Sequence, residues 1–126
     1  MAEVCEHTFV SVKGSPYARF QRALRLGRLD QIRDAAADLP HVDLVDALAV
    51  CLLMGAQGDG RYDRAATRWL ARFALERQSV TLADVRTAVA ALNALPRDPA
   101  AARRTLAALC DAHGLARAAQ VCVPPV

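Results

Sequence analysis

Apolar residues recur at intervals of three and four from position 16 almost to the end of the chain, which is the spacing of amphipathic α-helices. The pattern predicts six helices, near positions 16–26, 29–39, 42–54, 61–78, 82–95 and 99–113. Residues 7–13 alternate apolar and polar side chains as a strand does, but no second such run exists to pair with them. The sequence therefore predicts an all-α fold.

Local start and stop signals set the expected ends of these helices. Ser15 and Asp98 each precede a proline, which combines an N-cap residue with proline at the first helical position. Thr81 and Asp84 have the spacing of a capping box, and Asp59 is predicted to cap the fourth helix. The predicted stops are Gly27, Pro40, Gly55 and Gly114.

The helices are expected to form a single domain over residues 15–120. Residues 1–14 are interpreted as an extended N-terminal arm that lies on the helices. Residues 121–126 are interpreted as a non-helical C-terminal tail, because Pro124 and Pro125 cannot continue a helix. The third helix contains the longest apolar run, Ala47 to Met54, and is predicted to lie at the centre of the domain.

Stacked antiparallel helical hairpins are the expected architecture, with a compact irregular bundle as the alternative. A shift of 41 residues aligns the apolar positions of helices two and three with those of helices four and five. A two-helix unit of about forty residues is similar in length to HEAT and armadillo repeats, which form α-α superhelices. The sequence contains no third complete copy of this unit.

Composition changes this picture in two ways. The chain of 126 residues holds 27 alanines and only six aromatic residues, so the core is expected to consist mainly of Leu, Val and Ala. Lys13 is the only lysine among 16 basic residues, and this excess of Arg and Ala is typical of a GC-rich genome. We therefore expect a bacterial protein. The acidic N-terminus and the short apolar runs favour a cytoplasmic protein without a membrane segment, in which the four separated cysteines stay reduced.

Charged residues form two opposite stripes. Helix four carries a basic stripe within about 80° of rotation, which would suit phosphate groups or an acidic partner. Helix two carries an acidic stripe that recurs every four residues. The basic stripe consists of Arg61, Arg64, Arg68 and Arg72, and the acidic stripe consists of Asp30, Asp34 and Asp38.

Charge is also divided unevenly along the chain, although the net charge is only +3. Residues 30–63 hold seven acids against two arginines, whereas residues 64–126 hold nine arginines against four acids. Three interpretations remain open at this point. The two stripes pair within one molecule, they pair between two molecules, or they bind separate partners.

Four residues offer the nitrogen and sulfur ligands that tetrahedral zinc prefers, namely Cys5, His7, Cys110 and His113. The competing interpretation is that Cys110 is a small buried side chain and that His113 favours the negative end of helix six. Neither Cys–His pair has the spacing of an established zinc motif, so no metal and no cofactor are predicted.

No nucleophile elbow, phosphate-binding loop or metalloprotease motif occurs, and Ser79 is interpreted as a linker residue. We therefore expect a non-enzymatic helical protein-interaction module, such as an adaptor, a regulatory subunit or a self-associating protein, that uses the acidic and basic faces. The alternative is a sequence-tolerant nucleic-acid-binding protein that uses the arginine stripe, with Arg103 and Arg104 extending it. The expected partner is a protein or a second copy of the chain, and not a membrane.

Overall fold

The computed structural model describes residues 15–122, and within that range it contains seven α-helices and no strand. The all-α prediction is confirmed. None of the helices in residues 15–122 is long and apolar enough to cross a membrane. The predicted N-terminal arm and the last four residues lie outside the described range. The helices are α1 (Pro16–Leu26), α2 (Leu29–Ala37), α3 (Leu44–Gln57), α4 (Tyr62–Glu76), α5 (Leu82–Ala94), α6 (Pro99–Ala112) and α7 (Ala118–Cys122).

The chain divides into two compact units between Val42 and Asp43. In the described part of the first unit, α1 and α2 pack against each other. The Ser15 hydroxyl caps α1 by accepting a hydrogen bond from the Ala18 amide at 3.3 Å, as the sequence predicts. The buried side chains of these two helices are Phe20, Ala23, Ile32 and Ala35.

The second unit contains α3 to α7, and α3 packs against both α4 and α7. The Asp43 carboxylate caps α3 by accepting from the Asp46 amide at 2.8 Å. This helix buries more positions than any other in residues 15–122, as its apolar sequence predicts. Helix α5 packs against α4 and α6, and α6 packs against α7. The chain division falls between the two helices of the first predicted repeat unit, and the repeat stays a prediction.

Gly55 does not end α3, and this prediction is wrong. The helix continues to Gln57, and Gly58, with φ of +67°, follows it. Gly55 is buried, and a Cβ atom there would lie 2.7 Å from Leu95 Cδ2 and 3.2 Å from Tyr62 Cε1. A side chain at this position would force Leu95 or Tyr62 to move, so the glycine serves close packing and not a turn.

Two other predicted boundaries are also wrong. Arg61, and not Asp59, is the N-cap residue of α4. The Asp59 carboxylate accepts a hydrogen bond from the Arg61 amide at 2.8 Å, ahead of the first residue of the helix. Val121 and Cys122 belong to α7 and not to a non-helical tail. A five-residue helix is not stable by intrinsic propensity, so α7 depends on its packing against α3 and α6.

The inner face of α4 fixes the rotation of this helix. Tyr62 donates its hydroxyl to the Leu92 carbonyl at 2.7 Å, and the Trp69 indole donates to the Leu44 carbonyl at 2.8 Å. Trp69 also stacks on Phe73 with ring centroids 5.1 Å apart. All three aromatic side chains of this helix are buried. Because these side chains face α3 and α5, the opposite side of α4 faces solvent.

Candidate interaction surface

The solvent-facing side of α4 combines two arginines with an exposed leucine. Arg64 and Arg68 are exposed, and Leu75 has 82% of its surface accessible. At about 100° per residue, Leu75 lies at a rotation between those of the two arginines. These three residues are called the α4 outer face below. An exposed leucine in a row of guanidinium groups is suited to a partner that is both acidic and apolar.

The other two arginines of the predicted stripe already have partners. Arg61 binds Asp59 through two guanidinium nitrogens, at 2.9 and 2.7 Å, and this hydrogen bonding raises the pKa of Arg61. Arg72 binds Glu76, one turn later in α4, at 2.7 Å. Within residues 15–122, Arg64 and Arg68 form no ion pair. The four arginines are therefore on one side of the helix, but only two of them are uncompensated by a nearby carboxylate.

The predicted acidic stripe on α2 also contains residues with and without an ion-pair partner. Asp30 and Asp34 are exposed and form no ion pair with any residue of the described range. Asp38 is the C-cap residue of α2 and binds Arg19 of α1 at 2.9 Å. The free part of this stripe is thus two carboxylates, four residues apart, on an exposed helix surface.

A second polar cluster lies where the C-terminal end of α6 meets the linker between α4 and α5. His113 Nδ1 is 2.6 Å from Ser79 Oγ, and His113 Nε2 is 2.9 Å from Asp84 Oδ2. The Arg77 guanidinium donates to the His113 carbonyl at 2.9 Å. Ser79, Asp84 and His113 are called the His113 cluster below. Both nitrogens of a single imidazole are therefore used, one by a hydroxyl and one by a carboxylate.

The surroundings of the cluster hold its members in place. Thr81 and Asp84 form the predicted capping box, with the Thr81 amide donating to Asp84 at 2.9 Å. This hydrogen bond, followed by the Thr81 hydroxyl and the His113 imidazole, lowers the pKa of Asp84 despite its partial burial. The ring of Phe73 meets the imidazole edge-on, with centroids 5.6 Å apart, and only 8% of the His113 side chain is exposed.

Gly114, next to His113, has a second reason to be glycine besides ending the helix. Its φ is +82°, a left-handed conformation that residues with side chains rarely adopt. A Cβ atom there would also lie 2.8 Å from a terminal nitrogen of Arg77. The same residue therefore turns the chain after α6 and leaves room for the guanidinium group that holds the His113 carbonyl.

Two of the four residues of the zinc hypothesis, Cys5 and His7, lie outside the described residues. Burial raises the pKa of the Cys110 thiol to about 12, which disfavours the thiolate that zinc requires. Both ring nitrogens of His113 already have hydrogen-bond partners. Residues 15–122 contain no group of three or more potential metal ligands.

Sequence analysis missed the His113 cluster, because its members are not close in sequence. Ser79 lies 34 positions and Asp84 lies 29 positions from His113. The pattern gave each residue a separate local role, as a linker residue, a capping residue and a helix-end residue. No short-range spacing connects them, so only the packing of α5 against α6 reveals the cluster.

An open cleft of about 300 Å³ lies between α4 and α5. Leu70 and Ala66 line it from α4, and Val89 and Leu92 line it from α5. Its polar lining residues are Tyr62, Asp63, Thr67 and Asn93. The cleft shares no residue with the α4 outer face or with the His113 cluster.

No family model, curated protein or solved structure matches this chain.

Proposed function

We propose that this chain is a helical protein-interaction module that binds an acidic partner protein through the α4 outer face. The observation that carries the proposal is Leu75, which is 82% exposed on the same side of α4 as Arg64 and Arg68. A leucine in this position loses the benefit of burial unless a partner covers it. Covering it would contribute about 1.5–3 kcal/mol to binding, before the costs of association.

The same observation favours a protein over a nucleic acid. A phosphate backbone offers no apolar surface for Leu75, whereas an amphipathic protein segment does. Two uncompensated arginines would release few counterions from a nucleic acid, with a slope of about −0.9 per phosphate contact in a plot of log affinity against log salt. Arg61 and Arg72 add little to such an interaction, because Asp59 and Glu76 already neutralise them.

The partner is expected to present two carboxylates one helical turn apart and an apolar side chain about two turns further along. Each carboxylate would accept paired hydrogen bonds from a guanidinium group, which is the strongest geometry for this contact. A second copy of this chain offers carboxylates of that spacing, since Asp30 and Asp34 are exposed on α2. Self-association is therefore one form of the proposed interaction, and an acidic adaptor target is the other.

The test uses three probes of defined chemistry. Sedimentation velocity of the whole chain measures self-association. Fluorescence anisotropy measures binding to a labelled helical peptide with glutamates four residues apart and a leucine on the same face. The third probe is a mixed-sequence RNA of similar charge. The variant carries Arg64→Glu, Arg68→Glu and Leu75→Ser, and its control carries Arg86→Glu and Arg104→Glu, which are exposed arginines on α5 and α6.

We expect the chain to self-associate or to bind the peptide, and the α4 variant to lose that binding at least tenfold while the control retains it. The Leu75→Ser change alone should weaken protein binding and leave any RNA binding unchanged. Binding of RNA in preference to the peptide, with a steep dependence on salt, would replace the proposal with the nucleic-acid alternative. Absence of both self-association and peptide binding would remove the α4 outer face as a protein-binding site.

A further inference from the structure

The His113 cluster contains a hydroxyl, an imidazole and a carboxylate in hydrogen-bonded series. Ser79 Oγ lies 2.6 Å from one ring nitrogen, and Asp84 Oδ2 lies 2.9 Å from the other. Both distances fall within the range expected between a nucleophile and its base, and between that base and the group that orients it. We propose that the cluster is an acyl-transfer site in which Ser79 attacks small activated carboxylic esters.

The chemistry of the cluster fixes which nitrogen carries the proton when the imidazole is neutral. An ionised carboxylate accepts hydrogen bonds and donates none. Asp84 must therefore accept from His113 Nε2, which leaves Nδ1 unprotonated. Nδ1 can then accept a hydrogen bond from the Ser79 hydroxyl. This is the tautomer that a general base for Ser79 requires.

The nucleophile of the cluster is more exposed than its base, as an acyl-transfer site requires. Ser79 is exposed and open to a substrate, whereas only 8% of the His113 side chain is accessible. A turn closed by the Val80 amide and the Arg77 carbonyl, at 3.2 Å, holds Ser79. The Arg77 guanidinium fixes this turn to the His113 carbonyl. Nucleophile and base are thus held in contact before a substrate binds, and no rearrangement is needed to bring them together.

The nitrogens have the reverse order of those in serine proteases, where Nε2 faces the serine and Nδ1 faces the aspartate. The roles are unchanged, because either imidazole nitrogen can act as a base when the other carries the proton. Recognition of such a site depends on geometry and roles and not on order in the chain.

The reaction proceeds in two balanced steps. Ser79 Oγ forms a bond to the ester carbonyl carbon as its proton moves to His113 Nδ1. The carbon–oxygen bond to the leaving alcohol then breaks, and the alcohol oxygen takes the proton from Nδ1. Water next attacks the acyl-Ser79 ester, giving its proton to Nδ1, and the carboxylic acid leaves as Ser79 regains a proton. Asp84 stays ionised throughout and holds the Nε2 proton.

The first experiment labels the intact chain with a fluorophosphonate probe, which bonds to an activated serine oxygen and releases fluoride. Intact-mass and peptide mass spectrometry should show one adduct, located on Ser79. The rate of p-nitrophenyl acetate cleavage supplies an independent readout. Ser79→Ala should abolish the adduct and the burst of p-nitrophenol, whereas Ser15→Ala, a helix-cap serine in α1, should leave both unchanged.

Asp84→Asn separates catalysis from folding, because the amide oxygen retains an acceptor for the Thr81 amide. The variant keeps His113 as the base but removes the negative charge that stabilises the protonated imidazole, and loss of the corresponding aspartate costs serine proteases about 10⁴-fold in rate. It should therefore label at least tenfold more slowly while its circular dichroism spectrum stays the same. Lack of an adduct on Ser79 in the wild-type chain, or equal rates in the wild type and Ser79→Ala, would overturn the proposal. The cluster would then be only a structural contact between α6 and the α4–α5 linker. Neither outcome depends on the α4 outer face.

Discussion

The α4 outer face and the His113 cluster are two polar regions of the same unit, and they treat their charges in opposite ways. On α4, Arg64 and Arg68 point to solvent beside an exposed leucine, without an ion pair among the described residues. In the cluster, His113 is nearly inaccessible, and both of its nitrogens have partners. A region whose charged groups face water without an ion-pair partner is suited to binding, whereas a network whose groups bond to one another positions its own members.

Phe73 is on the same helix as the α4 outer face, but it is buried on the inner side and contacts the imidazole ring of His113. Leu75, two positions later, is 82% exposed. Phe73→Ala should reduce the free energy of unfolding by about 3–5 kcal/mol, the cost of emptying a large buried site. This is the largest effect that we expect, and urea denaturation followed by circular dichroism measures it.

Leu75→Ala is the matched control, since it also removes an apolar side chain from α4. An exposed change should shift the free energy of unfolding by no more than about 0.5 kcal/mol. Similar losses in the two variants would mean that Leu75 is covered within the molecule. In that case the α4 outer face would not be available to a partner.

Much of the fold follows from local sequence signals. The caps at Ser15, Thr81 and Asp98 act where their spacing predicts them, since each cap depends on residues within one turn. Two of the three wrong boundaries have another origin. Gly55 and α7 depend on contacts with distant helices, which no local pattern contains.

The two candidate sites differ in the same way, since one lies on a single helix and the other is formed by several elements. The arginine stripe was predictable because it repeats within one helix, but the repeat does not show that Arg61 and Arg72 pair with nearby carboxylates. The His113 cluster was unpredictable because its residues come from a linker, the start of α5 and the end of α6. Sequence spacing therefore finds surfaces on single elements, and tertiary packing is needed to find clusters between them.

Thr81→Ala tests the His113 cluster, because it removes the hydroxyl that caps α5 next to Asp84. The hydroxyl accepts from the Asp84 amide at 3.2 Å. Loss of such a cap should cost about 1 kcal/mol in urea denaturation. Thr87→Ala makes the same chemical change within α5, where the hydroxyl only donates to the Ala83 carbonyl, and its effect should be within about 0.5 kcal/mol. Equal costs for the two variants would show that the capping box does not stabilise the start of α5.

The smallest expected effect is confined to acid pH and concerns Asp84. Its pKa is lowered in the folded chain, first by the Thr81 amide and also by the hydroxyl of that residue and the His113 imidazole. A lowered folded-state pKa means that the unfolded chain binds the proton more readily. The stabilisation is therefore present above the ordinary carboxyl value of 3.8 and is lost as the pH falls through the lower folded-state value.

Urea denaturation at about pH 6 and about pH 3 measures this dependence. Wild-type protein should lose more stability on acidification than Asp84→Asn, which has no carboxyl group to protonate at this position. Asp63→Asn removes an exposed carboxylate on α4 and should keep the acid dependence of the wild type. If Asp84→Asn and wild type lost the same stability, Asp84 would have no net preference for the ionised form in the folded chain. The carboxylate would then not hold the His113 proton in place, and the cluster would resemble the solvent-exposed charges of α4 in its energetics.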